Sequence, residues 1–319
     1  MKYSIRQLEV FIAVGRSESV SRAAEQLGMS QSATSTSLAE FERQFDTRLF
    51  DRVGKKLQLN ELGRMLLPHA MELIDRAVDI EALLQGRNGF GPLRIGASLT
   101  IGNYLAIQLM GEFRVLYPVS NILLEVHNTA RIVKKVVEFS LDFGLIEGNC
   151  SHAELVVVPW VDDELVIFAA PDHPLVRQEI VSLDELVRTP WIVREAGSGT
   201  RQTFEYAMRH VLSKLNILME LEHTEAIKRA VEAGMGISCI SRLALREAFR
   251  RGSLAEVKTE GLDLRRQFHF IWHRHKFHTL GIQAFIELCQ TVTHGAVKSD
   301  DILLNLDDRQ KMKKYITRN

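Results

Sequence analysis

The chain has few cysteines, no surplus of charge and no long apolar run, and each shortage closes a class of function. Its three thiols, Cys150, Cys239 and Cys289, are scattered, odd in number and without metal-type spacing. That argues against a disulfide framework and fits a reducing compartment. Forty Lys and Arg balance forty Asp and Glu, so any nucleic acid must be met by local rather than global charge. No apolar stretch is long enough to span a bilayer, and no membrane partner is expected. Lys2, Arg6 and Glu9 stand where a secretory leader would carry its apolar segment, so a cytoplasmic location is expected. A length of 319 residues predicts two or three domains.

What the chain does carry begins near its amino end. Val20, Ala23, Ala24 and Leu27 fall at i, i+3, i+4 and i+7, one apolar helix face. Ser19 is placed to cap that helix, and Gly28 to end it in the left-handed conformation glycine adopts cheaply. Ser30 then caps a second helix, with Thr34, Leu38, Phe41 and Phe45 expected inside. Its outer face, Gln31, Ser32, Ser35 and Thr36, is polar and uncharged. Small alanines at the crossing and a glycine turn favour a helix-turn-helix over a plain helical hairpin. In that motif the second helix reads base edges in the major groove.

The flanking residues extend the pattern. Ile5, Leu8, Phe11, Ile12 and Gly15 trace a stripe for a preceding helix. After the recognition helix, Leu49-Phe50 and Leu57/Leu59 bracket Gly54, Lys55 and Lys56, which predicts a β-hairpin wing. Arg48, Arg52, Lys55 and Lys56 put positive charge where such a wing meets phosphates or a minor groove. Asn60 is placed to cap a helix running towards Arg87, in which Leu66, Ala70, Leu73, Ala77, Ile80 and Leu84 make a heptad seam suited to dimerisation. Pro68 counts against an uninterrupted helix there.

Asn88-Gly89-Phe90-Gly91-Pro92 is the clearest linker, and beyond it strands and helices alternate. Strands are expected near 93–98, 122–126, 143–148, 164–171, 191–194, 217–221, 237–240 and 267–272, with helices between them and a closing helix over 280–293. That order implies parallel sheets covered by helices, in two lobes with a cleft at their hinge. The expected fold class is an N-terminal winged helix-turn-helix with a long linker helix, followed by an α/β two-lobed domain. The expected divisions are 1–60 for the DNA-binding domain, 61–88 for the linker helix and 92–297 for the effector domain. Within the last, lobe I takes 92–163 and 267–297 and lobe II takes 164–266, leaving 298–319 as an extension.

These residues resemble the LysR-type transcriptional regulators. The resemblance rests on Arg6-Gln7-Leu8-Glu9-Val10-Phe11, Ala23-Ala24-Glu25-Gln26-Leu27, Ser30-Gln31-Ser32-Ala33 and Leu49-Phe50-Asp51-Arg52. Thr34 departs from it, standing where the family usually has a branched apolar residue. Ser98-Leu99-Thr100-Ile101-Gly102-Asn103-Tyr104, Ile146-Glu147-Gly148, residues 194–201 and Thr224-Glu225-Ala226-Ile227-Lys228 are similar to the family's sulfur-related, sulfite-responsive branch. The resemblance implies a periplasmic-binding-protein-like effector domain, a duplex DNA partner with dyad half-sites, self-association as dimer or tetramer, and no cofactor beyond a small anionic effector. The tail after Val297 has no counterpart in it.

The chemistry of those stretches can be read independently. Ser98, Thr100 and Ile101 open one helix, and Ser198, Gly199 and Thr200 open another in the opposite lobe. Helix starts with bare amides and hydroxyls suit oxyanions, although each taken singly is a plain N-cap. Glu147 ends a strand near the same cleft, and an ionised carboxylate repels a dianion. It can accept a hydrogen bond from an anion that keeps a proton, which favours sulfite or bisulfite over sulfate. Sulfate or a carboxylate metabolite is the alternative effector. Arg194 and Arg201 are read as charge at the rim or ordinary surface ion pairs. His269, His273, His275 and His278 lack zinc-site spacing, so no metal is expected. No acid, base and nucleophile set is visible, which leaves a cytosolic solute-binding protein or an enzyme as weaker readings than a regulator.

Overall fold

The computed structural model describes residues 2–54, 56–84 and 90–302. Three helices, α1 (Ile5–Ser17), α2 (Val20–Leu27) and α3 (Gln31–Gln44), and an antiparallel hairpin, β1 (Phe50–Val53) with β2 (Lys56–Leu59), make the head. Ser19 accepts from the Arg22 amide and Ser30 from the Ala33 amide, caps that typically contribute about 1 kcal/mol each. Gly28 turns between the helices at φ 62°, where any other residue would be strained. Leu8, Phe11, Ala23, Leu38, Phe41 and Phe50 fill the core. Thr34 is fully buried and satisfies its hydroxyl on the Ser30 carbonyl, so a polar residue is tolerated at an apolar position. Phe45 and Ile5 are corrections to the expected inner faces. Phe45 caps α3 and is 45% exposed, its ring edged against Tyr3 and Phe41, and Ile5 is half exposed at the start of α1.

Asn60 caps α4 (Glu61–Leu84) by accepting from the Gly63 amide, and the helix runs through Pro68 without a break. The expected heptad seam is divided between two faces. Ala70, with Leu67 and Met71, packs into the head, while Leu73, Ile80 and Leu84 project outward.

Beyond Pro92 come β3 (Leu93–Ala97), α5 (Leu99–Ile101) running through a π-helical turn (Gly102–Ala106) into α6 (Ile107–Leu116), β4 (Ile122–Val126), α7 (Thr129–Val137), β5 (Phe143–Glu147) and β6 (Leu155–Ala169). Then follow α8 (Leu183–Arg188), β7 (Pro190–Arg194), α9 (Gly199–Ala207), β8 (Asn216–Leu221), α10 (Thr224–Glu232), β9 (Ile237–Ser241), α11 (Arg242–Arg251), β10 (Ala255–Glu256), β11 (Arg265–His273) and α12 (Leu280–Thr293). The strand order is β4-β3-β5-β11-β6-β9-β7-β8, with β10 beside β6. The first half of β6 pairs with β11 and its second half with β9, so one 15-residue strand carries the chain from lobe I to lobe II. Sequence pattern reveals only the end of this strand, near 164–171, and leaves residues 155–163 unassigned.

Each lobe buries its own apolar residues: Ile95, Phe113, Phe143, Phe268, Phe270 and Phe285 in lobe I, and Leu186, Trp191, Val193, Phe204, Met208 and Ile237 in lobe II. The head is seated on lobe I. Phe139, at φ 54°, inserts into the head core, and its carbonyl accepts from Arg16 Nη2 at 2.6 Å. Among the described residues no helix is long and apolar enough to cross a membrane.

Candidate functional site

Two surfaces carry the residues singled out by the sequence. On the head, Gln31, Ser32, Ser35 and Thr36 are all exposed along the outer side of α3, and Arg52 is exposed on β1. Lys55 lies outside the described residues. Lys56 pairs with Glu18 at 2.8 Å, so part of the wing's charge is already balanced by the head.

The second surface lies where the lobes meet. Ser98 follows β3 and precedes α5, yet its hydroxyl caps nothing and, among the described residues, has no hydrogen-bond partner although it is fully buried. Thr100 Oγ1 donates to Glu147 Oε1 at 3.3 Å, while Glu147 Oε2 is buried and has no partner among the described residues. Burial pushes the Glu147 carboxyl above its ordinary value of 4.5, against the opposing pull of Arg266 and Arg194. From lobe II, Thr200 accepts from Arg266 Nη1 at 2.9 Å. The structure thus brings Thr100, Glu147 and Thr200 together around Arg266, with Ser98 buried two residues before Thr100.

Other expectations are corrected. The lobe II helix start is not bare: Ser198 is occupied in capping α9, and the Gly199 amide donates to Thr129. The Ile101 side chain lies in the lobe I core, which leaves only its backbone for a ligand. Arg194 is no rim residue but 2% exposed, bidentate on Glu195 and with Nη1 unpartnered among the described residues. The expected cleft is shut. The Ala130 amide donates to the Gly197 carbonyl across it, and a Cβ on Gly199 would stand 2.0 Å from the Glu147 carbonyl oxygen. At the other rim the Tyr104 hydroxyl donates to Glu225, which also holds Lys228.

The residue that sequence reasoning missed is Arg266. It sits in β11 beside Asp163 of β6, its cross-strand partner, with Nε 2.6 Å from Asp163 Oδ2. Its Nη1 and Nη2 reach Thr200 in lobe II and Thr100 in lobe I. Reading β6 and β11 as one paired ribbon would have found it, since a buried Arg opposite an Asp in a hinge has no packing reason to be there.

A recess of about 1240 Å3 lies elsewhere, between the head, α4 and lobe I, lined by Arg16, Arg22, Arg64, His69, Glu138 and Glu154. Its charges are mixed and several are already paired, Lys134 with Glu138 and Glu154 with Arg274. Among the described residues no three His, Cys, Asp or Glu gather as a metal would require. Burial pushes all three thiols above their ordinary value, which disfavours the reactive thiolate.

Comparison with known families and structures decides the assignment. The LysR-family bacterial regulatory helix-turn-helix matches residues 5–64, and the LysR substrate binding domain matches residues 87–293. The chain belongs to the LysR family of transcriptional regulators. Its relatives include an uncharacterized HTH-type transcriptional regulator of Escherichia coli K12, YeiE, 43% identical over 91% of this chain and 98% of that one. A full-length OxyR variant from Pseudomonas aeruginosa shares the fold over 93% of this chain and 97% of that one, at TM-score 0.70 and 20% identity. The CcmR regulatory domain of Synechocystis PCC6803, solved in complex with 2-PG, superposes at TM-score 0.61 and 28% identity over 65% of this chain and 99% of its own. As a LysR regulator this chain is a DNA-binding protein with an effector domain, and its domains are regulatory rather than enzymatic.

Proposed function

We propose that this LysR regulator senses a small oxyanion, sulfite or bisulfite, held between its two lobes. One observation carries the reading: the buried guanidinium of Arg266 stands among Thr100 and Thr200, with the unpartnered Glu147 Oε2 and Ser98 Oγ in the same lobe I wall. A buried polar atom left unpaired costs about 1–3 kcal/mol, and an oxyanion that shares a proton relieves both orphans at once. Glu147 and the anion need one proton between them. Sulfite is a far stronger base than sulfate and shares that proton more strongly.

The lobes in contact represent the arrangement such a ligand would favour. Binding shifts the population towards it only by the difference in affinity between closed and open forms. Because α4 and the head rest on lobe I, a change in lobe geometry alters how paired heads meet the half-sites of duplex DNA. Self-association, as a dimer or a pair of dimers, would use the outward stripe of Leu73, Ile80 and Leu84 on α4. Sulfate or a small carboxylate is the second reading, favoured by the fork that Arg266 presents.

The test is a thermal-shift panel of sulfite, sulfate and small carboxylates on the full chain and on Glu147→Gln. Sulfite is expected to raise the wild-type melting point most, and the margin over sulfate to shrink in the variant. If no oxyanion moves the melting point, the sensing role is wrong. If the margin is unchanged in Glu147→Gln, that residue has no part in selectivity.

A further inference from the structure

After α12 the chain returns to the hinge. Ser299 is fully buried, and its hydroxyl donates to Asp163 Oδ1, the same carboxylate whose Oδ2 holds Arg266 Nε. Beside it, Lys298 Nζ pairs with Glu164 at 2.7 Å, and Arg246 of α11 reaches the carbonyls of Asp300 and Ile302. Ile302 is 4% exposed and lies in the lobe I core cluster. Residues 298–302 therefore touch lobe I, the crossing strand and lobe II from behind the hinge. The match to the LysR substrate binding domain ends at residue 293, so this contact lies just beyond the matched segment.

We propose that Ser299 is a positioning residue for the anion site, acting through Asp163 to set the orientation of Arg266. The inference rests on the oxyanion reading for what is positioned, but the positioning itself stands on geometry. Asp163 Oδ1 accepts two hydrogen bonds, from Ser241 at 2.7 Å and from Ser299, and these fix the rotation of its carboxylate. A fixed carboxylate fixes Nε of Arg266, and a planar guanidinium held at Nε has its two Nη atoms aimed as well. One of those atoms meets Thr100 and the other Thr200. Removing the Ser299 hydroxyl leaves Oδ1 with one donor and lets the carboxylate turn, which loosens the bridge between the lobes. The bonds around Asp163 form one network, so the effect travels beyond the pair that is cut.

The experiment uses the full chain labelled with 15N-arginine, with the Arg266 Nε–Hε resonance assigned by its loss in Arg266→Lys. Ser299→Ala is expected to move that resonance and to speed exchange of its proton, without any ligand present. In calorimetric titration with sulfite, the same variant is expected to lose affinity about tenfold, the scale of one hydrogen bond to a charged group. Ser299→Thr keeps the hydroxyl and is expected to restore both readouts. Ile302→Val removes packing from the same segment and is expected to lower the melting point while leaving the resonance and the affinity in place.

An Arg266 resonance unmoved by Ser299→Ala overturns the proposal, whatever the titration reads. An equal shift of the resonance in Ile302→Val also overturns it, because any loosening of the segment would then do the same. If the wild type takes up neither sulfite nor sulfate while Ser299→Ala still moves the resonance, the positioning stands and the oxyanion reading falls.

Discussion

Lys276 Nζ lies 2.6 Å from Asp75 Oδ2, an ion pair that fastens the linker helix α4 to lobe I. The same ammonium is 2.9 Å from Asp142, whose other oxygen takes the Arg94 amide. Burial pushes the Asp75 carboxyl up while Lys276 pulls it back. Burial acts on Asp142 as well, but there Lys276 and Arg94 prevail and hold the carboxyl below its ordinary value. One buried cation therefore keeps two carboxylates, from two domains, in one place.

Lys276→Met takes the cation from Asp75 and leaves Asp142 with Arg94 alone. A cost of about 3–5 kcal/mol is expected, read from urea unfolding. Adding Asp75→Asn and Asp142→Asn removes the stranded charges and should recover most of the loss. Recovery without the lysine would show that repulsion, rather than packing of its stem, is what the substitution exposed.

Glu147→Gln should change the pH dependence of stability. The folded carboxyl titrates above its unfolded value of 4.5, so its penalty is absent at lower pH, grows as pH rises past the unfolded value and is complete once pH exceeds the folded one. The variant carries no such penalty. It is expected to melt above the wild type near neutral pH and alongside it at about pH 4. A chain of this size gains roughly 2–4 °C per kcal/mol, within reach of calorimetry.

Gly199→Ala should prop the lobes apart. The added methyl meets the Glu147 carbonyl oxygen at 2.0 Å, and main chain cannot yield as a flexible side chain would. Small-angle scattering of the variant should show a larger radius of gyration. The melting-point rise with sulfite should disappear, while gel shifts with operator DNA persist because the head is untouched.

The recognition helix predicts a split between specificity and affinity. Gln31→Ala and Ser35→Ala, exposed on α3, should lose about 1–3 kcal/mol of discrimination between cognate and altered sequences in competition gel shifts. Arg52→Ala should weaken all sequences alike and lower the salt slope by about one phosphate contact.

Self-association should depend on α4. Leu73→Glu together with Ile80→Glu places charge on a stripe whose residues are 47% and 56% exposed in the single chain. Sedimentation should show smaller species than the wild type, with each folded unit melting unchanged.

The head was legible almost residue by residue. Its caps, its glycine turn and its alanine crossing are local devices, and Ser19, Gly28 and Ser30 each do in the structure what their positions in the chain suggest. Phe45 is misplaced by pattern because helical spacing says which side it faces, not that the helix ends there. The inter-lobe site was half legible. Ser98, Thr100, Glu147 and Thr200 sit at the ends of strands or the starts of helices, where period and capping betray them. Arg266 and Asp163 are 103 residues apart in the chain and adjacent only through β11 and β6, and no local pattern marks such a pair. The double duty of α4 was hidden for a related reason. Its apolar residues serve two clients, and a heptad count cannot divide Ala70 from Leu73.

The crossing strand β6 has a mechanical consequence. From Leu155 to Glu164 it is laced to β11, and it then continues unbroken to pair with β9. Lobes strung on two loose cords would swing like a door, whereas a doubled ribbon stores deformation as torsion along its length. Arg266 and Asp163 face each other at the end of that ribbon nearest lobe II, where a twist between the lobes would meet their ion pair.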